Sequence, residues 1–322
     1  MRLASYRHGD VDRIGFEVDG LLYDLNVALQ AAARPERYAS MMALIEDGER
    51  GRAEAESAYR FVLANLNAVK GAPLSEVRWH PPVRKPYKIC GIALNNSASD
   101  ARKISAPNHP MFFLKPASCL VGHGEPIVVR DYYGSVHPEP ELAVIIAKEC
   151  KDVAVEDALD CVYGYSILND MTGNAMRAED MVHYYALYPT KDDPNVVEKR
   201  EQHLSYAARY KGSDTFGPMG PWLVTKDDVP DPHALEVRAW HKDEVIAEDS
   251  TAYYTYGVPQ IIAWVTRFHT LWPGDVISMG TAFRPSASAK RSLHTANITA
   301  RGGPVSVEIS GLGRLENPVV KK

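Results

Sequence analysis

The sequence predicts an α+β fold dominated by strands: a mixed β-roll or distorted β-sandwich, preceded by a small N-terminal α/β domain. Three observations predict it. Short β-rich runs recur through the second part of the chain, separated by Gly, Pro and Asp turns. Few segments there have helical length, and strands and helices do not alternate regularly, which disfavours a doubly wound parallel sheet. The first part has a different texture, and the proline-rich stretch Pro73–Pro86 (PLSEVRWHPPVRKP) reads as a linker after it. These features place a boundary near residue 80, with residues 1–80 as the small domain and 81–322 as the larger one.

In the first part, Arg2–Arg7 and Ile14–Val18 read as strands around the turn His8-Gly9-Asp10, and Asp19-Gly20 leads to a third at Leu21–Leu25. A long helical region, rich in Ala, Glu, Arg and Leu, follows from about Asn26 to Lys70, broken by Pro35 and by Gly48–Gly51. In the second part the expected strands are Lys88–Ala93, Met111–Leu114, Ile127–Val129, Leu142–Ala147, Val162–Leu168, Trp222–Thr225, Leu235–His241, Val276–Met279, Asn297–Ala300 and Val305–Ile309. Helical length is confined to Val155–Cys161, Ala175–Tyr188, Val196–Tyr210 and Pro259–Thr270.

Composition excludes several classes. The 322 residues are 45% hydrophobic and 24% charged, ordinary for a packed globular chain. A net charge of −5, with no basic block interleaved with aromatics, gives no footprint for nucleic acid. No stretch approaches the roughly 18 apolar residues of a membrane helix, and the start MRLASYRHGD lacks the apolar run of a signal peptide. Cys90, Cys119, Cys150 and Cys161 are too sparse for a disulfide scaffold and lack metal-type spacing, so the expected compartment is the reducing cytoplasm.

The most informative segment is His137-Pro138-Glu139-Pro140-Glu141, running into the strand LAVIIAK. Pro138 and Pro140 favour extended backbone. In an extended chain, two carboxylates one residue apart share a face. They repel unless something positive lies between them, and a hard divalent cation answers that need. Asp170 ends the run GYSILND and is a third candidate ligand. The plain alternative is a pair of solvated edge glutamates and a helix-capping aspartate.

The order of motifs adds to this: FFLKP (Phe112–Pro116), PEPELAVIIAK (Pro138–Lys148), GYSILND (Gly164–Asp170), KGSDTFGPMGPWLVT (Lys211–Thr225), LWPGDVISMGT (Leu271–Thr281) and VEISGLGRLENPV (Val307–Val319). Together they resemble the fumarylacetoacetate hydrolase superfamily over most of residues 88–319, and the first part of the chain resembles the small N-terminal domain of many bacterial members. The resemblance implies a mixed β-roll, usually homodimeric. It implies a metal, Mg²⁺ or else Mn²⁺ or Ca²⁺, on Glu139, Glu141 and Asp170. The cation would chelate the 2-oxo-carboxylate end of a small-molecule oxo acid and stabilise a developing enolate. It also implies Lys211 as a catalytic cation and Gly280 and Thr281 as binders of the substrate carboxylate. Lys115 either reaches the same pocket or makes a structural ion pair.

The chain departs from the family pattern in three places. Where hydrolytic members carry Leu-Asn-Tyr-x-x-His-x-x-Glu, this chain has Ser99 in place of His and Arg102 in place of Glu. Neither activates water unaided at neutral pH. The family's Arg after the Asn-Asp pair is replaced by Asn174, with Arg177 three residues on as a substitute for binding substrate. The segment between Asp170 and Lys211 is longer than usual, so His183 or His203 could supply the absent base from a lid. His137, beside the first ligand, suits a supporting role.

Three functions follow. Hydrolysis of a C–C bond in an acylpyruvate-type 2,4-dioxo acid, in catabolism of aromatic compounds or sugar acids, is narrowly favoured by analogy. An isomerase, tautomerase or decarboxylase of a 2-oxo or 2-hydroxymuconate-type acid is close behind, because it needs no activated water. A non-catalytic relative that has lost the water-activating pair is the third.

Overall fold

The computed structural model describes residues 1–100, 103–281 and 293–322. It is a mixed α+β structure, mostly sheet with few helices, and among the described residues no sheet closes into a barrel. An eleven-stranded sheet runs in the order Ala72–Pro73, Leu21–Asp24, Val11–Val18, Arg2–His8, Leu223–Thr225, Val162–Asn169, Pro140–Ile146, Val276–Ser278, Ile89–Ala93, Met111–Lys115, with Arg78–Trp79 also paired to Arg2–His8. Its pairs are antiparallel except Val276–Ser278 on Ile89–Ala93. A second, four-stranded antiparallel sheet is ordered Glu244–Ser250, Glu236–His241, Val305–Ile309, Gly313–Asn317.

The central strand Pro140–Ile146 is buried along its whole length. Leu142, Val144 and Ile146 join one core, with Val237, Val307 and the helix Val258–Thr266. Ala143 and Ile145 join another, with Leu3, Phe16, Leu29, Leu44 and Val62. A strand covered on both faces has no reason to alternate polar and apolar residues, which accounts for the unbroken run LAVII. The second core is capped by the helices Leu25–Ala31, Met41–Glu46 and Gly48–Ala64. Asp24 and Ser40 start the first two by accepting hydrogen bonds from the amides of Val27 and Ala43. Sheet and core thus run across residue 80, and the division into 1–80 and 81–322 is a proposal about folding units.

Several segments differ from expectation; Val155–Cys161, for one, is helical only as a single turn at Ala158–Cys161. Ala175–Tyr188 and Val196–Tyr210 are not long helices. A short helix, Asn174–Glu179, leads into an antiparallel hairpin of Val182–Pro189 and Val197–Leu204, and the helix Ala208–Gly212 follows. The β-favouring residues of VHYYALYP and the turn residues of TKDDPN outweigh the helix formers around them. Asn297–Ala300, expected as a strand, is a helical turn (Ile298–Arg301) because the Asn297 side chain caps it, accepting from the Ala300 amide at 3.2 Å. No helix among the described residues is long and apolar enough to cross a membrane.

The strand Val162–Asn169 needs glycine at 164. A Cβ there would lie 2.2 Å from the Val224 carbonyl oxygen of the neighbouring strand. Gly164→Ala should therefore lower stability by about 1–3 kcal/mol, as overpacking does. A denaturant titration that leaves the midpoint unmoved would contradict this packing.

Candidate metal centre

The strand ladder delivers the three carboxylates. Glu141 pairs in register with Leu168, and Pro140 with Asn169, so the end of one strand lies beside the end of the other. Glu139 sits in the two-residue break between strands Val136–His137 and Pro140–Ile146. Its amide donates to Asn169 Oδ1 at 2.9 Å, and its carbonyl accepts from the Asp170 amide at 2.9 Å. Beyond the break the ladder resumes, with His137 opposite Thr172. One carboxylate oxygen from each of Glu139, Glu141 and Asp170 lies within 4.8 Å of the others.

The charges are held by two lysines. Lys211 Nζ donates to Glu139 Oε2 at 2.8 Å and to Asp170 Oδ2 at 2.6 Å. Lys115 Nζ, fully buried, donates to Asp170 Oδ1 at 2.5 Å and to the carbonyls of Lys211 and Phe216. Lys115 therefore forms a buried ion pair with the third carboxylate of the triad. The Thr172 hydroxyl donates to Glu139 Oε1 at 2.8 Å, and His137 Nε2 is 3.1 Å from the same atom. Glu141 Oε2 accepts from Ser278 Oγ at 2.5 Å and from the Gly280 amide at 3.0 Å. Gly280 has φ +91°, a conformation that favours glycine.

Burial disfavours the ionised form of Glu139, but the Lys211 charge and the His137 hydrogen bond overcome it and hold the carboxyl well below the usual range. Glu141 goes the other way: burial, then repulsion from Asp170, push it up to about 8. For Lys211, burial opposes the charge, but Asp170, Glu139 and Glu141 outweigh it and raise its pKa. Lys211 is therefore a fixed cation and donor, not a base at neutral pH. Three carboxylates face two ammoniums, and each carboxylate keeps at least one lone pair beyond those its hydrogen bonds use. With Glu141 ionised, this all-oxygen donor set carries surplus negative charge and fits a hard divalent cation.

A cavity of about 450 Å³ opens beside the triad. Glu139, Lys211, Thr281, Arg177 and Ser99 line it, so it gathers five residues predicted from widely separated motifs. The Thr281 hydroxyl lies 3.3 Å from the Pro140 carbonyl. Asn174 begins the helix that carries Arg177 and does not line the cavity. Arg102 falls outside the described residues. His183 and His203, expected as a base from a lid, are exposed on the hairpin and do not line this cavity. Two residues gain importance instead. His137 lines the cavity and is almost fully buried, and its Nδ1 has no hydrogen-bond partner among the described residues. His294 lies beside it, ring centroids 4.9 Å apart; no motif in the sequence marks it.

Below about pH 8 the Glu141 carboxyl carries a proton that an incoming cation must displace. Apparent Mg²⁺ affinity should rise with pH by up to about tenfold per unit and level off above that pKa. Calorimetry across this range checks it, and a flat profile would contradict the assignment of Glu141.

The chain resembles known proteins along its length. The family model described as "Fumarylacetoacetate (FAA) hydrolase C-terminal" matches residues 88–320. The mitochondrial oxaloacetate tautomerase fahd2 of Xenopus laevis is 31% identical over 325 residues, covering 99% of this chain and 90% of the relative. The maleylpyruvate hydrolase of Sphingobium sp. SYK-6, solved in complex with manganese(II) ion and pyruvate, is 29% identical with a TM-score of 0.69 and covers 100% of this chain and 99% of its own. The fumarylacetoacetate hydrolase of Exiguobacterium antarcticum has a TM-score of 0.75 at 25% identity, with 100% of both chains covered. These relatives are enzymes, and with a family model spanning most of its length, the chain belongs to the fumarylacetoacetate hydrolase family.

Proposed function

We propose that this protein interconverts keto and enol forms, or isomers, of a dicarboxylic 2-oxo acid by proton transfer through an enolate. The observation that carries the reading is the Lys211 ammonium, 2.8 and 2.6 Å from two carboxylates of the triad, on the wall of a cavity that Ser99 also lines; in the sequence, Ser99 and Arg102 stand where the family resemblance expects a water-activating His and Glu. Sequence alone narrowly favours hydrolysis; a fixed cation without that pair suits proton transfer better.

Glu139, Glu141 and Asp170 would hold the cation, which supplies positive charge to polarise a chelated 2-oxo acid. Lys211 donates toward the same oxygen and, being held charged, stabilises the enolate without taking a proton. His137 moves the proton. Its Nε2 faces a carboxylate, which only accepts, so Nδ1 carries the free lone pair. Arg177 makes no ion pair among the described residues and lines the cavity. It suits the distal carboxylate of the substrate, with Thr281 near the proximal one. The name of the Xenopus relative, oxaloacetate tautomerase, supports this class. Mg²⁺ or Mn²⁺ as the ion, a homodimer and a cytoplasmic location are further parts of the proposal; the four cysteines are free and buried, which suits a reducing compartment.

A second reading is C–C bond hydrolysis. The His137–Glu139 contact is a His–Glu pair of different origin, and it could activate water at the same cavity. The Sphingobium relative is named as a hydrolase.

Enol-oxaloacetate, maleylpyruvate and hydroxymuconate-type acids offered with Mg²⁺ or Mn²⁺ separate the two. Loss of enol absorbance with no change in mass is expected; cleavage products by mass, with no faster tautomerisation than buffer, would overturn the proposal in favour of hydrolysis. Turnover of neither kind, in protein that binds metal, would point to a non-catalytic relative. Lys211→Met should lower kcat by about 10²–10³-fold, the usual loss for one oxyanion donor, while KM changes less.

A further inference from the structure

The cavity does not account for the hairpin. Its strands, Val182–Pro189 and Val197–Leu204, form a two-stranded sheet that pairs with no other strand among the described residues. Side chains alternate between its faces, so residues directly opposite, and residues two apart on one strand, share a face. His183 is opposite His203, and Glu201 is two residues from His203. All three therefore project from the same face, and all three are exposed.

Their geometry is that of a gathered donor set. The two imidazoles stack with centroids 3.9 Å apart and planes 13° from parallel. His183 Nε2 meets Glu201 Oε1. One ligand atom from each of the three lies within 4.8 Å of the other two. His203 makes no hydrogen bond among the described residues, so its ring nitrogens are available.

We propose that His183, Glu201 and His203 form a second metal site, built for a borderline transition ion such as Zn²⁺. Two imidazole nitrogens and one carboxylate oxygen are the donors such ions prefer, whereas the all-oxygen triad prefers Mg²⁺ or Mn²⁺. Three protein ligands on one face leave the remaining positions to solvent. The paired backbone fixes the three Cβ positions, so side-chain rotation alone brings the donors onto an ion. Bound there, the ion staples the two strands together. One end of the hairpin leads to the helix carrying Arg177 and the other to the helix carrying Lys211, and Arg209 clamps its base to Glu179 and Asp180 at 2.8 Å each. The staple therefore braces a segment whose two ends line the cavity.

The test uses the full chain, free of any affinity tag and saturated with Mg²⁺, titrated with Zn²⁺ alone by calorimetry. One further equivalent is expected, with a dissociation constant of roughly 10 µM or tighter. Glu141→Gln should leave it intact. His203→Ala should weaken it by about tenfold or more, with an unchanged circular dichroism spectrum. Co²⁺ should give visible absorption bands that disappear in His203→Ala. The proposal is overturned if no second equivalent binds, if zinc binding disappears in Glu141→Gln, or if both His203→Ala and Glu201→Ala bind zinc as the unaltered chain does. None of these outcomes bears on the oxo-acid reading of the cavity.

Discussion

Three carboxylates withdrawn from water into one site are the constraint on which the rest of this structure depends. Each loses hydration, and each repels the other two. The chain answers with Lys211 and Lys115, whose ammoniums divide the oxygens of Asp170 between them, and with the donors Thr172, Ser278 and the Gly280 amide. The answer is incomplete by design of the donor set: Glu141 remains at odds with its neighbours, and its raised pKa records the unmet need for another positive charge. A site this demanding survives only where backbone geometry leaves the acids no means of separating, and the paired strands Pro140–Ile146 and Val162–Asn169 provide that.

The same electrostatics divides the chemical labour. A lysine held charged by two carboxylates has no lone pair to offer, so it stabilises negative charge and leaves proton traffic to other groups. In the proposed reaction His137 carries that traffic from the cavity wall, anchored at Nε2 by Glu139 and, among the described residues, unpartnered at Nδ1. In the proposed reaction, the sequence change to Ser99 and Arg102 from the family's water-activating pair alters what is done to the bound acid, while the triad and Lys211 supply the shared part of the chemistry.

The hairpin obeys different physics. It has no core of its own: its side chains are exposed or at most half-buried, and the ladder between its strands holds it together. An isolated two-stranded sheet is marginal in water. Cross-strand contacts such as the stacked histidines, and Arg200 over Tyr188 at 5.0 Å, therefore matter more here than they would on a buried strand.

Much of the site was legible in the chain because its chemistry is written in residue types at fixed spacing. Glu139 and Glu141 across a proline, Asp170 at the end of an apolar run, and Lys211, Gly280 and Thr281 in their motifs could all be named without coordinates. The apolar strands were equally legible, since a doubly covered strand must be apolar throughout. Periodicity failed in the hairpin, where no core face imposes a pattern, and at Asn297, where one capping side chain decides the backbone. The sequence by itself determined which donors exist and in what order they occur. Tertiary structure decided which of them meet: it buried Lys115 against Asp170, brought His294 to His137 and left His183 and His203 out of the cavity lining. Those encounters depend on strand pairings between residues tens of positions apart, and local spacing contains no information about them.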